Sequence, residues 1–250
     1  MSFSFDLSGR TALITGASSG LGARFGRILA ASGANVALGA RRADRLAALA
    51  AEIGPRAAAV QMDVAREADI IAGFDEADAL FGKVDTVIAN AGVDGAGMAT
   101  TIPEDEIEHT LAINLKGAIL TAREGAKRMM ANGVTNGRIV LIASITATEP
   151  SPGLVAYAAS KAGVVQAGRT LAREWARAGI TVNTVSPGYI RTAINDEWFE
   201  TEPGKKQIAK FPKRRLMGEE GLDAMMLFLC SDASEFVTGT NFVLDDGQTL

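Results

Sequence analysis

Short apolar runs alternate along the chain with longer stretches in which apolar positions recur every three or four residues. The runs "TALIT" (11–15), "NVALGA" (35–40), "AAAVQMDV" (57–64), "VDTVIANAG" (84–92), "GRIVLIAS" (137–144), "ITVNTVSPG" (180–188) and "GTNFVLDDG" (239–247) read as strands. Between them, 22–33, 43–54, 67–82, 106–133, 156–179 and 220–232 carry the helical period. A strand that is apolar nearly throughout is buried on both faces. Its regular alternation with helices implies parallel pairing, with helices covering the sheet on both sides. The expected fold is therefore α/β, a single domain with a doubly wound sheet of about seven parallel strands. The longest stretch without either period is 189–218, and irregular segments of that length tend to be binding loops.

Composition narrows the function without naming it. Of 250 residues, 48% are hydrophobic and 22% charged, which suits a globular chain rather than a disordered one. A net charge of −4 and a pI near 5.2 argue against nucleic acid or an anionic membrane surface as partner. The opening "MSFSFDLSGR" lacks the basic and apolar regions of a signal peptide, and no uncharged apolar run reaches a membrane span. A soluble, cytoplasmic protein is expected. Cys230 stands alone, which excludes an internal disulfide and any multi-cysteine metal site; its apolar setting points to a buried structural thiol. The lone His109 builds no metal cluster and either packs or faces solvent. Catalysis on this chain, if any, must avoid His-based triads and zinc.

"TALITGASSGLGARFG" joins the first strand to the first helix through Gly16, Gly20 and Gly22. Glycines here permit a tight turn and close backbone approach to a pyrophosphate, and the helix N-terminus adds free N–H groups. In open α/β sheets such ligands lie at the carboxyl ends of strands, as in a Rossmann-type fold. A plain glycine-rich turn is the alternative. The second strand ends in Ala40, Arg41 and Arg42, where dinucleotide folds often carry an acid for the ribose 2′-hydroxyl. A guanidinium fork suits a 2′-phosphate instead, which favours NADP(H) over NAD(H). The bland reading is a solvated basic pair at a helix start. Asp63 at the end of the third strand either accepts from an adenine amino group or caps the next turn.

Tyr157 and Lys161 stand four residues apart in "AYAASKAG" (156–163), hence on one side of a helix. Either they merely share that face, or the ammonium is placed to lower the phenol pKa toward a working pH. Ser144 ends the fifth strand thirteen residues earlier, where a hydroxyl can meet a substrate oxygen. Asn114 interrupts a helix that could have run on; a packing role is the alternative reading.

In order, T-G-A-S-S-G-L-G (15–22), D-V (63–64), N-A-G (90–92), Asn114, Ser144, Y-A-A-S-K (157–161) and S-P-G-Y-I-R-T (186–192) span essentially the whole chain. Together they resemble the short-chain dehydrogenase/reductase superfamily, in its subgroup of roughly this length. The resemblance implies a nicotinamide-dependent oxidoreductase that interconverts a carbonyl and a secondary alcohol. It implies Tyr157 as acid–base group, Ser144 on the substrate oxygen, Lys161 on the nicotinamide ribose, and Asn114 holding a water that relays protons to the lysine. It places Gly16, Ser18, Ser19, Gly20, Leu21 and Gly22 on the pyrophosphate, Arg41 and Arg42 on the 2′-phosphate, and Asp63 and Val64 near adenine. Asn90, Ala91 and Gly92 would line the adenine-ribose side, and Pro187, Gly188, Ile190 and Thr192 the nicotinamide carboxamide. A homotetramer or homodimer is also implied. One departure qualifies NADP(H): Ser19 stands where many NADP-preferring relatives carry a basic residue, so the preference rests on Arg41 with support from Arg42.

The substrate pocket is expected from 94–100, 145–154 and the 189–218 loop, with Ile145, Leu154, Trp198, Phe199 and Met217 giving it an apolar lining. That lining suits a hydrophobic ketone or alcohol as the small-molecule partner. Trp198 and Phe199 alternatively anchor the loop to its own core or to a neighbouring subunit, and Trp175 reads as core or subunit interface. Two other functions stay open. One is a 3-oxoacyl-acyl-carrier-protein reductase, although Thr135 and Ala178 occupy the places of the basic docking residues, with Arg138 and Arg177 nearby. The other is a catalytically silent nucleotide-binding regulator, whose mark would be a missing Tyr, Lys or Ser; all three are present.

Overall fold

The computed structural model describes residues 5–191 and 196–250, apart from the side chain of Asp196. Seven strands form one parallel sheet in the order β3-β2-β1-β4-β5-β6-β7. They are β1 (Thr11–Thr15), β2 (Asn35–Ala40), β3 (Ala57–Gln61), β4 (Thr86–Ala89), β5 (Gly137–Ile142), β6 (Ile180–Pro187) and β7 (Asn241–Leu244). The strands β1, β4, β5 and β6 are buried at every position, whereas the edge strands β3 and β7 are only half-buried. This is the doubly wound sheet expected from the apolar runs.

The helices divide between the two faces. On one face α1 (Gly20–Ala31), α2 (Ala43–Ile53) and α9 (Asp223–Cys230) pack through Phe25, Leu29, Leu46 and Met226. On the other, α3 (Glu67–Phe81), α5 (Ala118–Ala131) and α6 (Val155–Trp175) pack through Phe74, Ala122, Met129 and Val164. Gly54 and Gly82 end α2 and α3 in the left-handed region, as helix C-termini commonly require. Cys230 lies fully buried in the first cluster, and burial pushes its thiol up to about 12, so it is an inert core residue. Trp175 packs half-buried against the second cluster, and His109 is exposed.

Two expectations need correction. The helix expected over 106–133 is not continuous: α4 (Glu104–Leu111) and α5 are joined by a π-helical turn, Ala112–Gly117. Gly117 there presses on Val64, with room for no side chain. The 189–218 segment is not without period either. It carries α7 (Asp196–Glu200) and α8 (Glu202–Lys210). Thr201 caps α8, its hydroxyl accepting from the Gly204 N–H at 3.2 Å, and Pro203 occupies the first turn. That capping signal was present in "TEPG" and passed over because the helix is short and polar. Among the described residues no helix is long and apolar enough to cross a membrane.

Candidate active site

The strand order reverses between β1 and β4, and the crevice at their carboxyl ends is the natural ligand site of such a sheet. Thr15 and Asn90 stitch its floor. The Thr15 hydroxyl accepts from the Asn90 and Ala91 N–H groups at 3.0 and 3.1 Å. The Asn90 amide donates to the Thr15 carbonyl at 2.9 Å. Gly16 takes a φ of +70°, and a Cβ on Gly22 would stand 2.4 Å from the Gly16 carbonyl, so neither position tolerates a side chain. Ser19 precedes α1 without capping it, which leaves the first-turn N–H groups of that helix free of side-chain partners. No side chain crowds Gly20. Left-handed glycines, an uncapped helix start and close backbone approach together fit a pyrophosphate.

The two arginines after β2 differ. Arg42 donates to the hydroxyls of Ser18, at 2.7 and 3.0 Å, and Ser19, at 2.8 Å, so its guanidinium lies directly on the phosphate turn. Arg41 is exposed and shares with Asp63, Gln61 and Asp69 the wall of a cavity of about 350 Å³. The structure thus brings the second arginine, expected only in support, onto the turn. Asp63 accepts from the Ala65 N–H at 3.0 Å, which is the turn-capping alternative for one of its oxygens. Val64 is buried beside Gly117.

Four residues from three elements converge at the other end of the crevice. Tyr157 and Lys161 come from the first turns of α6. Ser144 caps the 3-10 turn Ile145–Ala147 just after β5, and Asn114 comes from the π turn. Lys161 is buried and donates to the Ile142 carbonyl at 2.9 Å, with its nitrogen 5.5 Å from the centre of the Tyr157 ring. A methyl group on Gly92 would stand 3.3 Å from Asn114 Oδ1 and 3.5 Å from Lys161 Nζ. Asn114 grips the Val93 backbone with both ends of its amide, accepting from N–H and donating to C=O, each at 2.8 Å. It also donates to Ser160 at 3.2 Å, whose hydroxyl donates to the Tyr157 carbonyl at 2.6 Å. A π turn inside an α-helix is a frequent mark of a functional site, and here it turns an amide inward. The observed bonds of Asn114 are those of a structural clamp.

Electrostatics correct one expectation. Burial pushes the Tyr157 phenol above its ordinary value, partly offset by the facing Ser144 hydroxyl; Asp94 and Tyr189 push the same way as burial. Burial also draws Lys161 down to about 8. The expected net lowering of the phenol is therefore absent, because burial sets the direction. A phenol held protonated is suited to giving a proton rather than taking one.

The residues expected on the substrate side divide between buried and exposed positions. Ile145 is buried and Leu154 half-buried, bridging Gly97. Phe199 is buried, while Trp198 is 42% exposed. Both rings pack on Tyr189, at 6.1 and 6.4 Å between centroids, and Phe211 stacks on Tyr189 at 5.6 Å. The anchoring alternative therefore describes Phe199 best. The Tyr189 hydroxyl lies 3.4 Å from that of Ser151. Pro187 and Gly188 end β6, Ile190 pairs with Met217, and Thr192 lies outside the described residues. Sequence reading missed Thr15, Asp94, Tyr189, Ser160 and Gln248. Thr15, Ser160 and Tyr189 lie inside quoted motifs and Asp94 inside the expected 94–100 stretch, whereas Gln248 carries no signal. Arg138, named near the carrier-docking positions, is fully buried and donates to the Ser231 and Gly137 carbonyls, whereas Arg177 is exposed.

A family model described as "Enoyl-(Acyl carrier protein) reductase" matches residues 16–249. The D-threitol dehydrogenase of Mycolicibacterium smegmatis is 36% identical over 251 residues, covering 99% of this chain and 96% of its own. Among solved structures, the gluconate 5-dehydrogenase of Burkholderia cenocepacia in complex with NADP and tartrate superposes with a TM-score of 0.93. It is 31% identical and covers 98% of this chain and 97% of its own. The 3-ketoacyl-(acyl-carrier-protein) reductase of Brucella melitensis complexed with NADH superposes with a TM-score of 0.90 at 32% identity, covering 98% and 100%.

Proposed function

The chain belongs to the short-chain dehydrogenase/reductase superfamily, and from that premise we propose that it reduces a ketone to a secondary alcohol, and the reverse, with Tyr157 as acid–base group and NADP(H) preferred over NAD(H). At the coarser level it is an NAD(P)-dependent oxidoreductase acting on CH–OH groups of small molecules. The observation that carries the finer reading is the convergence of Tyr157, Ser144 and Lys161 beside the β1/β4 crevice.

When bound, the nicotinamide dinucleotide supplies the hydride for the carbonyl carbon. Tyr157 gives its proton to the carbonyl oxygen, and in reverse takes the alcohol proton as phenolate. Ser144 donates to the same oxygen, and Lys161 holds positive charge beside the phenol. Asn114 keeps Val93 and α6 in register, and its relay role is part of this proposal. Gly16, Ser18, Ser19, Gly20, Leu21 and Gly22 cradle the pyrophosphate, with Arg41 and Arg42 on the 2′-phosphate. Asp63, Val64, Asn90, Ala91 and Gly92 hold the adenosine side, and Pro187, Gly188, Ile190 and Thr192 the carboxamide.

Ile145, Leu154 and Trp198 supply apolar surface for the body of the substrate, and the segment 189–218 forms its outer wall. The negative field of Asp94 beside Tyr157 supports an uncharged substrate. The buried Arg138 speaks against docking of an acidic carrier protein. The exposed Phe236, Val243 and Leu250 near the β7 edge support assembly into a homodimer or homotetramer.

Turnover of a panel of neutral ketones and alcohols, followed by nicotinamide absorbance with NADPH and with NADH, tests this reading. Arg41→Ala and Arg42→Ala are expected to raise the KM for NADPH about 10- to 100-fold, the loss of one charge-assisted hydrogen bond, and to leave NADH within about 3-fold. Equal effects on both cofactors overturn the 2′-phosphate assignment.

A further inference from the structure

Gln248 is almost fully buried two residues before Leu250, the last residue of the sequence. Its amide holds the Tyr189 backbone at both ends: Oε1 accepts from the Tyr189 N–H at 2.6 Å, and Nε2 donates to the Tyr189 carbonyl at 3.1 Å. The same carbonyl accepts from the Met217 N–H at 3.1 Å, so the chain leaving β6 and the chain returning to it meet at Tyr189. A Cβ on Gly188 would collide with Gln248 Oε1 at 2.5 Å, so the residue before Tyr189 is cut to fit this clamp.

The next residues of the tail hold the returning arm. Asp246 takes Lys213 on one oxygen and Arg215 on the other, the latter at 2.8 Å. Asp246 and Arg214 are the two non-glycine residues with positive φ among those described, at +54° and +49°, and they sit at the two ends of this junction. Asp tolerates that conformation better than most residues, but glycine would adopt it without strain. Between the arm and the tail lies a cavity of about 510 Å³ lined by Arg215, Met217, Gly218, Glu220, Leu244 and Asp246. The ion pairs span a gap rather than crown a packed contact. Asp245 stiffens the tail itself, accepting from the Gly247 and Thr249 N–H groups and from the Thr249 hydroxyl at 2.6 Å.

We propose that the C-terminal turn is a positioning device for the reaction, in which Gln248 fixes Tyr189 and Asp246 fixes the Lys213–Arg215 arm, so that the tail sets the width of the substrate pocket without touching substrate. Tyr189 carries the consequence. Its ring is the hub on which Trp198, Phe199 and Phe211 pack, and its hydroxyl lies 3.4 Å from that of Ser151, in the 145–154 stretch expected on the substrate side. A shift of the Tyr189 backbone therefore moves the whole aromatic wall relative to Tyr157. The inference rests on the reading that the 189–218 segment serves the substrate.

The test compares Gln248→Ala, Gln248→Glu and Asp246→Gly in the full-length protein by steady-state kinetics and by the rate of tryptic cleavage at the basic residues between Lys205 and Arg215. Gln248→Ala is expected to raise the ketone KM about 10-fold, with a smaller fall in kcat, from loss of two backbone hydrogen bonds. Gln248→Glu keeps the acceptor but sets a second acceptor against the Tyr189 carbonyl, so its KM is expected to rise at least as far. Asp246→Gly relieves the strained φ, so its melting temperature does not fall, yet it raises the KM about 3-fold and removes the salt dependence of the wild-type KM. Should Gln248→Ala fail to fold, Asp246→Gly still decides. Faster cleavage with raised KM supports the proposal. Faster cleavage with unchanged KM overturns the pocket role and with it the reading of 189–218 as substrate wall. Wild-type cleavage and wild-type KM in Asp246→Gly overturn the positioning device itself.

Discussion

Two side-chain amides clamp two backbones on opposite sides of one site. On the β4 side Asn114 holds Val93, and on the β6 side Gln248 holds Tyr189, each with one accepted and one donated bond. The first clamp sits in a π turn inside the core, a few ångströms from Gly92 and Lys161. The second lies near the last described residue, two positions after Asp246, which takes Lys213 and Arg215 in ion pairs. The β4 side, with the neighbouring β5 and α6, is thus built from deep, mutually enforcing bonds, and in the proposed reading it carries the groups that move a proton. The β6 side is built from ring packing and a tail, and in the proposed reading it carries the groups that choose a substrate. A rigid acid–base centre beside an adjustable wall lets one fold keep its chemistry while its substrates vary.

The difference has an energetic side. Lys161 is charged only at a cost, since burial draws it from 10.5 to about 8, a penalty on the order of 3 kcal/mol at neutral pH. Below about pH 8 the folded protein bears that penalty in full. Between about 8 and 10.5 the unfolded chain binds the proton more tightly than the folded one, so stability rises with pH across that window. Lys161→Met is the largest way to break the comparison. It is expected to cut turnover by about 10²–10⁴-fold while raising the melting temperature by about 3–8 °C, measured by calorimetry at pH 7. A variant that loses both activity and stability makes Lys161 a structural residue first.

Next in size is Thr15→Val, which strands the buried Asn90 and Ala91 N–H groups. Unfolding in urea is expected to show a loss of about 2–4 kcal/mol, and cofactor titration a weaker dinucleotide. The smallest is Asp94→Asn, which removes one of the charges holding the Tyr157 phenol up. The pH profile of alcohol oxidation, which needs the phenolate, is expected to move to lower pH, giving about 2- to 3-fold more oxidation at a fixed alkaline pH. A shift toward higher pH makes Asp94 a partner of the phenol by another route.

Legibility in the sequence follows the same division. The β4 side could be read because its residues sit at fixed places on regular elements. Tyr157 and Lys161 share a helix face, Ser144 ends a strand, and the glycines of the first turn allow no side chain. Even the break at Asn114 was visible, although its π geometry was not. On the β6 side the contacts join residues about thirty to sixty positions apart, Gln248 to Tyr189 and Asp246 to Lys213, and no local period announces them. Arg42 shows the limit at smaller scale. Two adjacent arginines are equivalent in sequence, and only the turn out of β2 decides that the second lies on Ser18 and Ser19. The upward shift of Tyr157 was likewise hidden, because spacing reveals the nearby cation and not the burial that sets the direction.

In the proposed reading Tyr157 moves the proton and contributes little to cofactor binding. Tyr157→Phe tests it most directly, with NADPH affinity measured by fluorescence titration and turnover measured on the best ketone of the panel. The expected result is turnover reduced by at least about 10²-fold with NADPH affinity within about 3-fold of wild type. Near-wild-type turnover in that variant contradicts the claim.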